Sequence, residues 1–231
     1  MSRYTTLFID LDDTLFDFRQ ASRMSFHETY DLLGYERFFE SFEHFLQIYE
    51  PRNRELWVLY GKGEIDKATL NRLRYSYPLE AVGHPDEELA ARFCTEALGR
   101  IPHKNVLIPG AIELLEYLHP RYEMFILSNG FQELQSQKMA TTGLSKYFKR
   151  LILSDEIGIN KPNPELFHYA LEVSGARKES SIMIGDMFET DIVGAANIGL
   201  DQIFVNITGA KGLAFEPTYE VNNLLQIKDI L

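Results

Sequence analysis

The chain has 231 residues, 45% of them hydrophobic and 25% charged, and its formal net charge is −11. This composition is typical of a globular protein and excludes a disordered or fibrous chain. The negative charge, without a Lys/Arg-rich run to offset it, argues against a nucleic acid polymer as partner. A small phosphorylated substrate remains compatible with it, because a bound divalent cation can reverse the field locally.

The single cysteine, Cys94, rules out an intramolecular disulfide and suits a reducing compartment. Its apolar-periodic surroundings indicate a small core residue without a chemical role. No signal-peptide pattern precedes the first apolar run, and no run approaches membrane-spanning length. We therefore expect a cytoplasmic protein without a membrane partner. The six histidines show no metal-ligand spacing, which argues against a zinc hydrolase.

The first predicted element is a buried strand over residues 7–9, and it ends in a cluster of carboxylates. Asp10, Asp12 and Asp13 lie within four positions. Like charges this close repel one another unless a cation or hydrogen-bond donors compensate, so the cluster favours a hard-metal site with oxygen ligands. An acidic turn cap is the alternative, because Asp and Thr both suit turns.

Residues 17–107 interrupt the pattern of short buried strands. They show helical periodicity without an obvious parallel-sheet strand, which predicts an inserted helical domain. A dozen aromatic residues lie between Phe16 and Tyr60, and we expect most of them to be core, with stacking on a substrate ring as the alternative. They include Phe38, Phe39, Phe42, Phe45, Tyr49 and Trp57.

Strands and helices alternate in the rest of the chain. Further buried strands are predicted at residues 124–127, 151–153, 182–184 and 203–205. Helical patterns lie at about 111–119, 132–141, 165–174 and 192–198. Asn163-Pro164 marks a helix start, and Gly143, Gly175 and Gly199 mark helix ends. The alternation predicts an α/β fold with three layers, a parallel sheet covered by helices on both faces.

Polar residues follow the later strands, at the sheet edge where ligands bind in open α/β folds. Gly185-Asp186 follows one strand, and Asp186 could complete the ligand set of a metal. Asp191 is either part of that set or a helix N-cap. Lys161 suits a phosphoryl oxygen, and Ser128-Asn129 offers donors before a helix. Taken alone, these last two patterns also fit a solvated lysine and an ordinary turn.

In this order, the segments together resemble the haloacid dehalogenase superfamily. Asp10-Leu11-Asp12-Asp13-Thr14 is similar to its first motif, Ser128 to the second, Lys161 to the third, and Gly185-Asp186 with Asp191 to the fourth. The resemblance implies a Rossmann-like catalytic core, residues 1–16 and 108–231, with an inserted α-helical cap domain at 17–107. Dehalogenation is disfavoured because the dehalogenases lack an acid at the position of Asp12.

The resemblance also implies a role for each residue. Asp10 would be the nucleophile and Asp12 the general acid and base. Ser128, Asn129 and Lys161 would bind the phosphate, with Ser128 and Lys161 stabilising the transition state.

A Mg²⁺ cofactor is implied by the same resemblance. Asp10 and Asp186 would bind it through their carboxylates and Asp12 through its backbone carbonyl. Asp191 would bind it directly or through another ligand.

The implied reaction is hydrolysis of a small phosphomonoester through an aspartyl-phosphate. The segments around Asp10 and Asp186 are similar to a bacterial pyrimidine 5′-nucleotidase branch, which favours a nucleoside 5′-monophosphate as substrate. Phosphoglycolate or sugar-phosphate phosphatases share most of these residues and stay open as alternatives. A phosphomutase shares both aspartates of the first motif, and a non-catalytic binding protein is disfavoured because every motif residue is present.

Overall fold

The computed structural model of the chain describes residues 3–231. The chain forms two compact units: the described residues up to Phe18 together with Asn105–Leu231, and Arg19–Lys104. Among the described residues, no helix combines the length and apolar character needed to cross a bilayer.

A parallel sheet forms the centre of the first unit. Its strands are β1 (Thr6–Ile9), β2 (Glu123–Ser128), β3 (Arg150–Leu153), β4 (Ser181–Gly185), β5 (Asp201–Val205) and β6 (Tyr219–Val221). They pair in the order β3-β2-β1-β4-β5-β6, and every pair is parallel. The predicted α/β class with a Rossmann-like core and helical cap is confirmed. Strand β6 was not predicted, because it has three residues and only Val221 is buried.

The strand order places β1 in the middle of the sheet, with β2 on one side and β4 on the other. The chain therefore winds outward from β1 in one direction and then continues from β4 in the other. Such a switch point leaves a crevice at the carboxyl ends of the two strands, where ligands bind in open α/β sheets. The residues after β1 and β4 lie at this crevice.

The α-helices are α1 (Phe18–Leu33), α2 (Phe42–Gly61), α3 (Lys67–Ala81), α4 (Glu87–Arg100), α5 (Ala111–Leu118), α6 (Gln132–Thr141), α7 (Pro164–Ser174) and α8 (Val193–Asn197). Asn163 caps α7 as predicted, since its side chain accepts a hydrogen bond from the backbone N–H of Glu165. Gly143, Gly175 and Gly199 all adopt the left-handed conformation expected after a helix.

The helix predicted over 192–198 is shorter and begins differently. A π-helical turn, Phe188–Ile192, leads into α8. This wider turn brings the Asp191 carboxylate back to the backbone N–H of Met187, at 3.1 Å. Such turns are often found at functional sites, and no simple hydrophobic period reveals them.

The core beneath the carboxyl edge is apolar and continuous. Alternate strand residues Phe8, Leu127 and Met183 are buried in one cluster with Leu166 and Phe167 of α7. Each large side chain buried this way contributes roughly 1.5–3 kcal/mol. The strand ends are therefore fixed by packing, which holds the polar residues that follow them in defined positions.

Aromatic rings fill the core of the second unit, as expected for most of them. Phe45 is buried, with its ring centroid 5.1 Å from that of Phe93 and 5.3 Å from that of Phe39. Tyr49 is also buried, whereas Phe38, Phe42 and Trp57 are partly exposed. Edge-on and offset ring pairs of this kind add to the stabilisation given by burial.

Candidate active site

Asp10 follows β1 and is fixed at both backbone and side chain. Its backbone N–H donates to the carbonyl of Ile184 in β4, at 2.9 Å. Its carboxylate is 2.6 Å from the ammonium of Lys161, which is 2.7 Å from Asp191 and also donates to the carbonyl of Leu127 at 2.7 Å. Lys161 thus links the residue after β1, the end of β2 and the π-helical turn that follows β4.

Burial dominates the electrostatics of this pair. The pKa of Asp10 is raised well above its usual range, mainly by burial. The Lys161 ammonium opposes this shift, and the neighbouring carboxylates of Asp191, Asp186 and Asp12 add to it. Burial alone would lower the pKa of Lys161, but Asp10 and Asp191 raise it above its ordinary value. The lysine therefore remains a cation, and Asp10 is a carboxyl group that added positive charge would help to ionise.

Three carboxylates converge at the ends of β1 and β4. Asp10, Asp186 and Asp191 each present one oxygen, and these oxygens lie within 4.8 Å of one another. Asp10 and Asp191 are buried, and Lys161 is the ammonium paired with both. With all three ionised, the carboxylates would outnumber the single ammonium and leave excess negative charge in a largely buried place, which is costly without another cation. This all-oxygen set fits a hard divalent metal such as Mg²⁺.

The close approach of two segments depends on Gly185. A Cβ atom at this position would lie 2.3 Å from Oδ2 of Asp191, so only glycine leaves room for that carboxylate. The sequence indicated a close backbone approach here, and Asp191 is the group that comes close.

Thr14 orients Asp186. Its hydroxyl donates to Oδ1 of Asp186 at 3.0 Å and accepts from the backbone N–H of Asp186, also at 3.0 Å. Thr14 reaches this position through a tight turn in which Asp13 has a φ of 59° and its N–H donates to the carbonyl of Phe16 at 2.7 Å. Aspartate tolerates this left-handed conformation better than most residues.

The side chain of Asn129 is used to hold the backbone of Lys161. Its amide donates to the Lys161 carbonyl at 3.0 Å, and its oxygen accepts from the Lys161 N–H at 2.7 Å. Ser128 is buried at the end of β2, and its hydroxyl accepts from the backbone N–H of Gly130 at 3.1 Å. Asn129 therefore acts on Lys161, while Ser128 Oγ keeps its own proton for donation.

A second polar network surrounds Asp12. Lys138 donates to Oδ1 of Asp12 at 2.6 Å, and Gln135 donates to Oδ2 at 2.9 Å. Gln135 also donates to Ser128 Oγ at 2.7 Å and accepts from Lys138 at 2.8 Å. Both α6 residues are buried. Asp12 and Ser128, which come from different strands, are thus joined through one helix.

The structure brings most of the residues singled out in the sequence to one edge of the sheet. Asp10, Asp186, Asp191 and Lys161 are in direct contact or in one cluster, and Ser128 joins Asp12 through Gln135. A further acid, Asp155, follows β3 but lies apart: it is exposed, and its carboxylate accepts from the backbone N–H of Gln132 at 3.4 Å.

Sequence reasoning placed Thr14 in the first motif without giving it a role, and it missed Gln135 and Lys138 as site residues. Gln135 and Lys138 are three residues apart on α6, so both lie on one helix face. No local pattern in the sequence marks them, because only packing shows that this face of the helix is buried.

A family model for haloacid dehalogenase-like hydrolases matches residues 4–199 of the chain. The pyrimidine 5′-nucleotidase YjjG of Escherichia coli (strain K12) is 33% identical, over 99% of this chain and 98% of its own length. The pyrimidine 5′-nucleotidase PynA of Streptococcus pneumoniae is 29% identical, over 99% and 95% respectively.

Among solved structures, that of YfnB from Bacillus subtilis bound to magnesium superposes with a TM-score of 0.88 at 26% identity. The match covers 99% of both chains. The resemblance seen in the sequence and the prediction of a phosphatase enzyme are both confirmed. The chain therefore belongs to the haloacid dehalogenase-like hydrolase family.

Proposed function

We propose that the protein is a Mg²⁺-dependent phosphomonoester hydrolase that works through an aspartyl-phosphate on Asp10. The observation that carries this proposal is the setting of Asp10, a buried carboxylate 2.6 Å from Lys161 and clustered with Asp186 and Asp191. An ammonium and a metal-compatible carboxylate set around one carboxylate are what nucleophilic attack on a phosphate dianion needs.

In the first step, an oxygen of Asp10 attacks phosphorus and the bond to the leaving alcohol breaks. Asp12 gives its proton to the departing oxygen, so the alcohol leaves neutral. As charge builds on the phosphoryl oxygens, the Ser128 hydroxyl donates a hydrogen bond to one of them. The Lys161 ammonium, 2.6 Å from the attacking carboxylate, stabilises the same charge electrostatically. The products of this step are the free alcohol and phosphorylated Asp10.

In the second step, water attacks phosphorus while Asp12 takes one of its protons. The bond between phosphorus and the Asp10 oxygen breaks, which restores the carboxylate and frees inorganic phosphate. One proton leaves Asp12 in the first step and returns in the second, so the enzyme ends as it began. Splitting the hydrolysis in this way replaces one difficult displacement with two easier ones.

Asp10, Asp186 and Asp191 would hold the metal, joined by the backbone carbonyl of Asp12. A bound Mg²⁺ would reduce the repulsion between the Asp10 carboxylate and the phosphate. The magnesium in the similar YfnB structure supports this cofactor for the present chain.

The proposed substrate is a nucleoside 5′-monophosphate. The support is the similarity, over almost the whole chain, to two proteins described as pyrimidine 5′-nucleotidases. The net charge of −11 and the single cysteine favour a cytoplasmic enzyme that acts on small phosphorylated metabolites and not on nucleic acid polymers.

Phosphate release from a panel of nucleoside monophosphates, sugar phosphates and phosphoglycolate tests the proposal. We expect Mg²⁺-dependent release with preference for UMP, dUMP or dTMP, and loss of release with EDTA or in Asp10→Asn. Preference for another phosphomonoester would refute the nucleotidase assignment and keep the mechanism. Absence of release from every compound would refute the proposed function.

A further inference from the structure

The buried face of α6 carries two polar residues that the mechanism above does not use. Lys138 is 2% exposed and Gln135 is fully buried. Burying an ammonium in a hydrophobic setting is unfavourable unless a partner compensates. Within the described chain, the carboxylate that pairs with Lys138 is that of Asp12, at 2.6 Å.

Each oxygen of the Asp12 carboxylate receives its own donor from α6. Oδ1 accepts from Lys138 and Oδ2 from Gln135. Two donors on two oxygens fix the plane of a carboxylate as well as its position, which a single contact would not do. The rotation of the Asp12 side chain is therefore set by the helix.

The two donors are themselves held in place. The Gln135 amide oxygen accepts from Lys138 at 2.8 Å, and the Lys138 ammonium lies 4.5 Å and 5.3 Å from the ring centroids of Phe18 and Phe16. A Cβ atom at Gly130 would lie 2.2 Å from the Gln135 amide nitrogen, so the backbone there is shaped to admit that side chain.

Gln135 also joins Asp12 to Ser128. Its Nε2 atom donates to Asp12 at 2.9 Å and to Ser128 Oγ at 2.7 Å. In the proposed function, Asp12 gives a proton to the leaving oxygen, and Ser128 donates a hydrogen bond to a phosphoryl oxygen of the same phosphate group. One amide therefore sets the spacing between two groups that act on neighbouring oxygens of the substrate.

We propose that Gln135 and Lys138 are positioning residues that align the Asp12 carboxylate with the leaving-group oxygen of the substrate. This inference rests on the proposed function. Neither residue touches the substrate; both act through Asp12, with Gln135 acting also through Ser128. General acid catalysis depends on hydrogen-bond geometry at the transferring proton, so misalignment slows the step that needs the proton.

The test compares Lys138→Met with the wild-type enzyme on two substrates, UMP and p-nitrophenyl phosphate. The nucleoside alkoxide needs a proton to leave, whereas p-nitrophenolate leaves without one. We expect kcat/KM for UMP to fall by about 10- to 100-fold and that for p-nitrophenyl phosphate by less than about threefold. Equal losses on both substrates would refute the positioning role, since a merely structural defect does not depend on the leaving group.

Two further variants keep the proposal testable if Lys138→Met does not fold. Gln135→Met removes the donor to Asp12 Oδ2 without removing a charge, and we expect the same selective loss on UMP. Gln137→Met, on the exposed face of the same helix, is the matched control and should leave both substrates unchanged. A Gln137→Met enzyme with the same selective loss would contradict the proposal.

A double-mutant cycle separates alignment from stability. In an Asp12→Asn background, Lys138→Met should cause no further loss of kcat/KM on UMP, because the group that it aligns is already inactive. If the double variant instead shows the product of the two separate losses in kcat/KM, the inference is wrong. Wild-type enzyme that releases phosphate from neither compound would instead refute the proposed function, before any variant is compared.

Discussion

At the scale of single residues, Lys161 is the most densely connected group in the site. Its ammonium has three protons and three acceptors, Asp10, Asp191 and the Leu127 carbonyl. It is 3% exposed, so the pairing is protected from solvent. Removing one partner of a buried ion pair leaves uncompensated charge, which costs far more than losing an exposed pair.

We therefore expect Lys161→Met to lower the free energy of unfolding by about 3–5 kcal/mol. Urea unfolding followed by circular dichroism measures the change. The matched control is Lys146→Met, because Lys146 forms an exposed pair with Glu116 and its loss should cost less than about 1 kcal/mol. Equal effects of the two substitutions would contradict the structural role given to Lys161.

The role of Asp186 in binding Mg²⁺ can be tested without measuring activity. A ligand that binds only the folded state stabilises it by about 2.7 kcal/mol when the free ligand concentration is about a hundred times Kd. Mg²⁺ should therefore raise the Tm of the wild-type protein, and Asp186→Asn should remove most of that rise. Asp229→Asn, at an exposed carboxylate of the same unit, should keep it. An unchanged Mg²⁺ response in Asp186→Asn would exclude this carboxylate as a ligand.

At the scale of elements, the end of β4 and the π-helical turn after it form one unit of structure. Gly185 ends the strand, and Asp191 returns from the turn to lie against it. The geometry of the carboxylate cluster thus depends on the backbone of β4 as much as on the acids themselves. A methyl group at Gly185 has no free space, because it would occupy the position of the Asp191 carboxylate.

Gly185→Ala is expected to displace Asp191 and to remove most of the Mg²⁺-dependent rise in Tm. Gly99→Ala is the matched control, because the fold has room for a methyl group at this position. Gly99 lies inside α4 with nothing within 4 Å of an added Cβ, so alanine there should stabilise the fold by roughly 0.5–1 kcal/mol. Thermal unfolding with and without Mg²⁺ measures both. A full Mg²⁺ response in Gly185→Ala would show that Asp191 is not needed for the metal.

The aromatic core of the second unit contains a hydroxyl group without a protein partner. Tyr35 is fully buried, and its hydroxyl has no hydrogen bond among the described residues. Burial raises the pKa of Tyr35, and Asp86 raises it further. The folded state therefore keeps this proton to higher pH than the unfolded chain, whose tyrosines titrate near pH 10.

Tyr35→Phe should raise the free energy of unfolding by about 1 kcal/mol at neutral pH, because an unpaired buried hydroxyl is removed. In the wild-type protein, the pKa of Tyr35 is raised on folding. The free energy of unfolding is therefore unaffected by the titration of this group below about pH 10 and falls as the pH rises further. The variant should thus lose less stability than wild type between pH 9 and 11. Tyr77→Phe, on an exposed ring, should match wild type in both respects.

At the scale of the whole molecule, the proposed phosphate site lies in a chain with a net charge of −11. The site is not positive in itself: Lys161 and Lys138 are both buried at the carboxyl edge of the sheet, and each is paired with carboxylates. A bound divalent cation would therefore supply the positive charge that a phosphate group needs there.

The sequence was sufficient for most of the sheet and for the ends of its strands. Strands buried on both faces appear as apolar runs, so β1 to β5 were predictable, whereas β6 is too short and too exposed to stand out. The turn at Phe188–Ile192 was missed because it follows no simple period.

Within the site, residues at strand ends were found because sheet topology brings them together. Gln135 and Lys138 were missed because polar residues on a helix usually face solvent, and only packing shows that these two face inward. Their contact with Asp12 spans more than 120 positions of the sequence, at a range where local patterns carry no information.

The proposed aspartyl-phosphate can be tested by isolating phosphorylated Asp10. The Asp12→Asn enzyme would be mixed with p-nitrophenyl phosphate and Mg²⁺, quenched in acid, and mapped by peptide mass spectrometry. Because p-nitrophenolate leaves without a proton while hydrolysis of the intermediate needs the base, we expect one phosphoryl group on the peptide that contains Asp10. A phosphoryl group on any other residue, or none on an enzyme whose wild-type form releases phosphate, would contradict it.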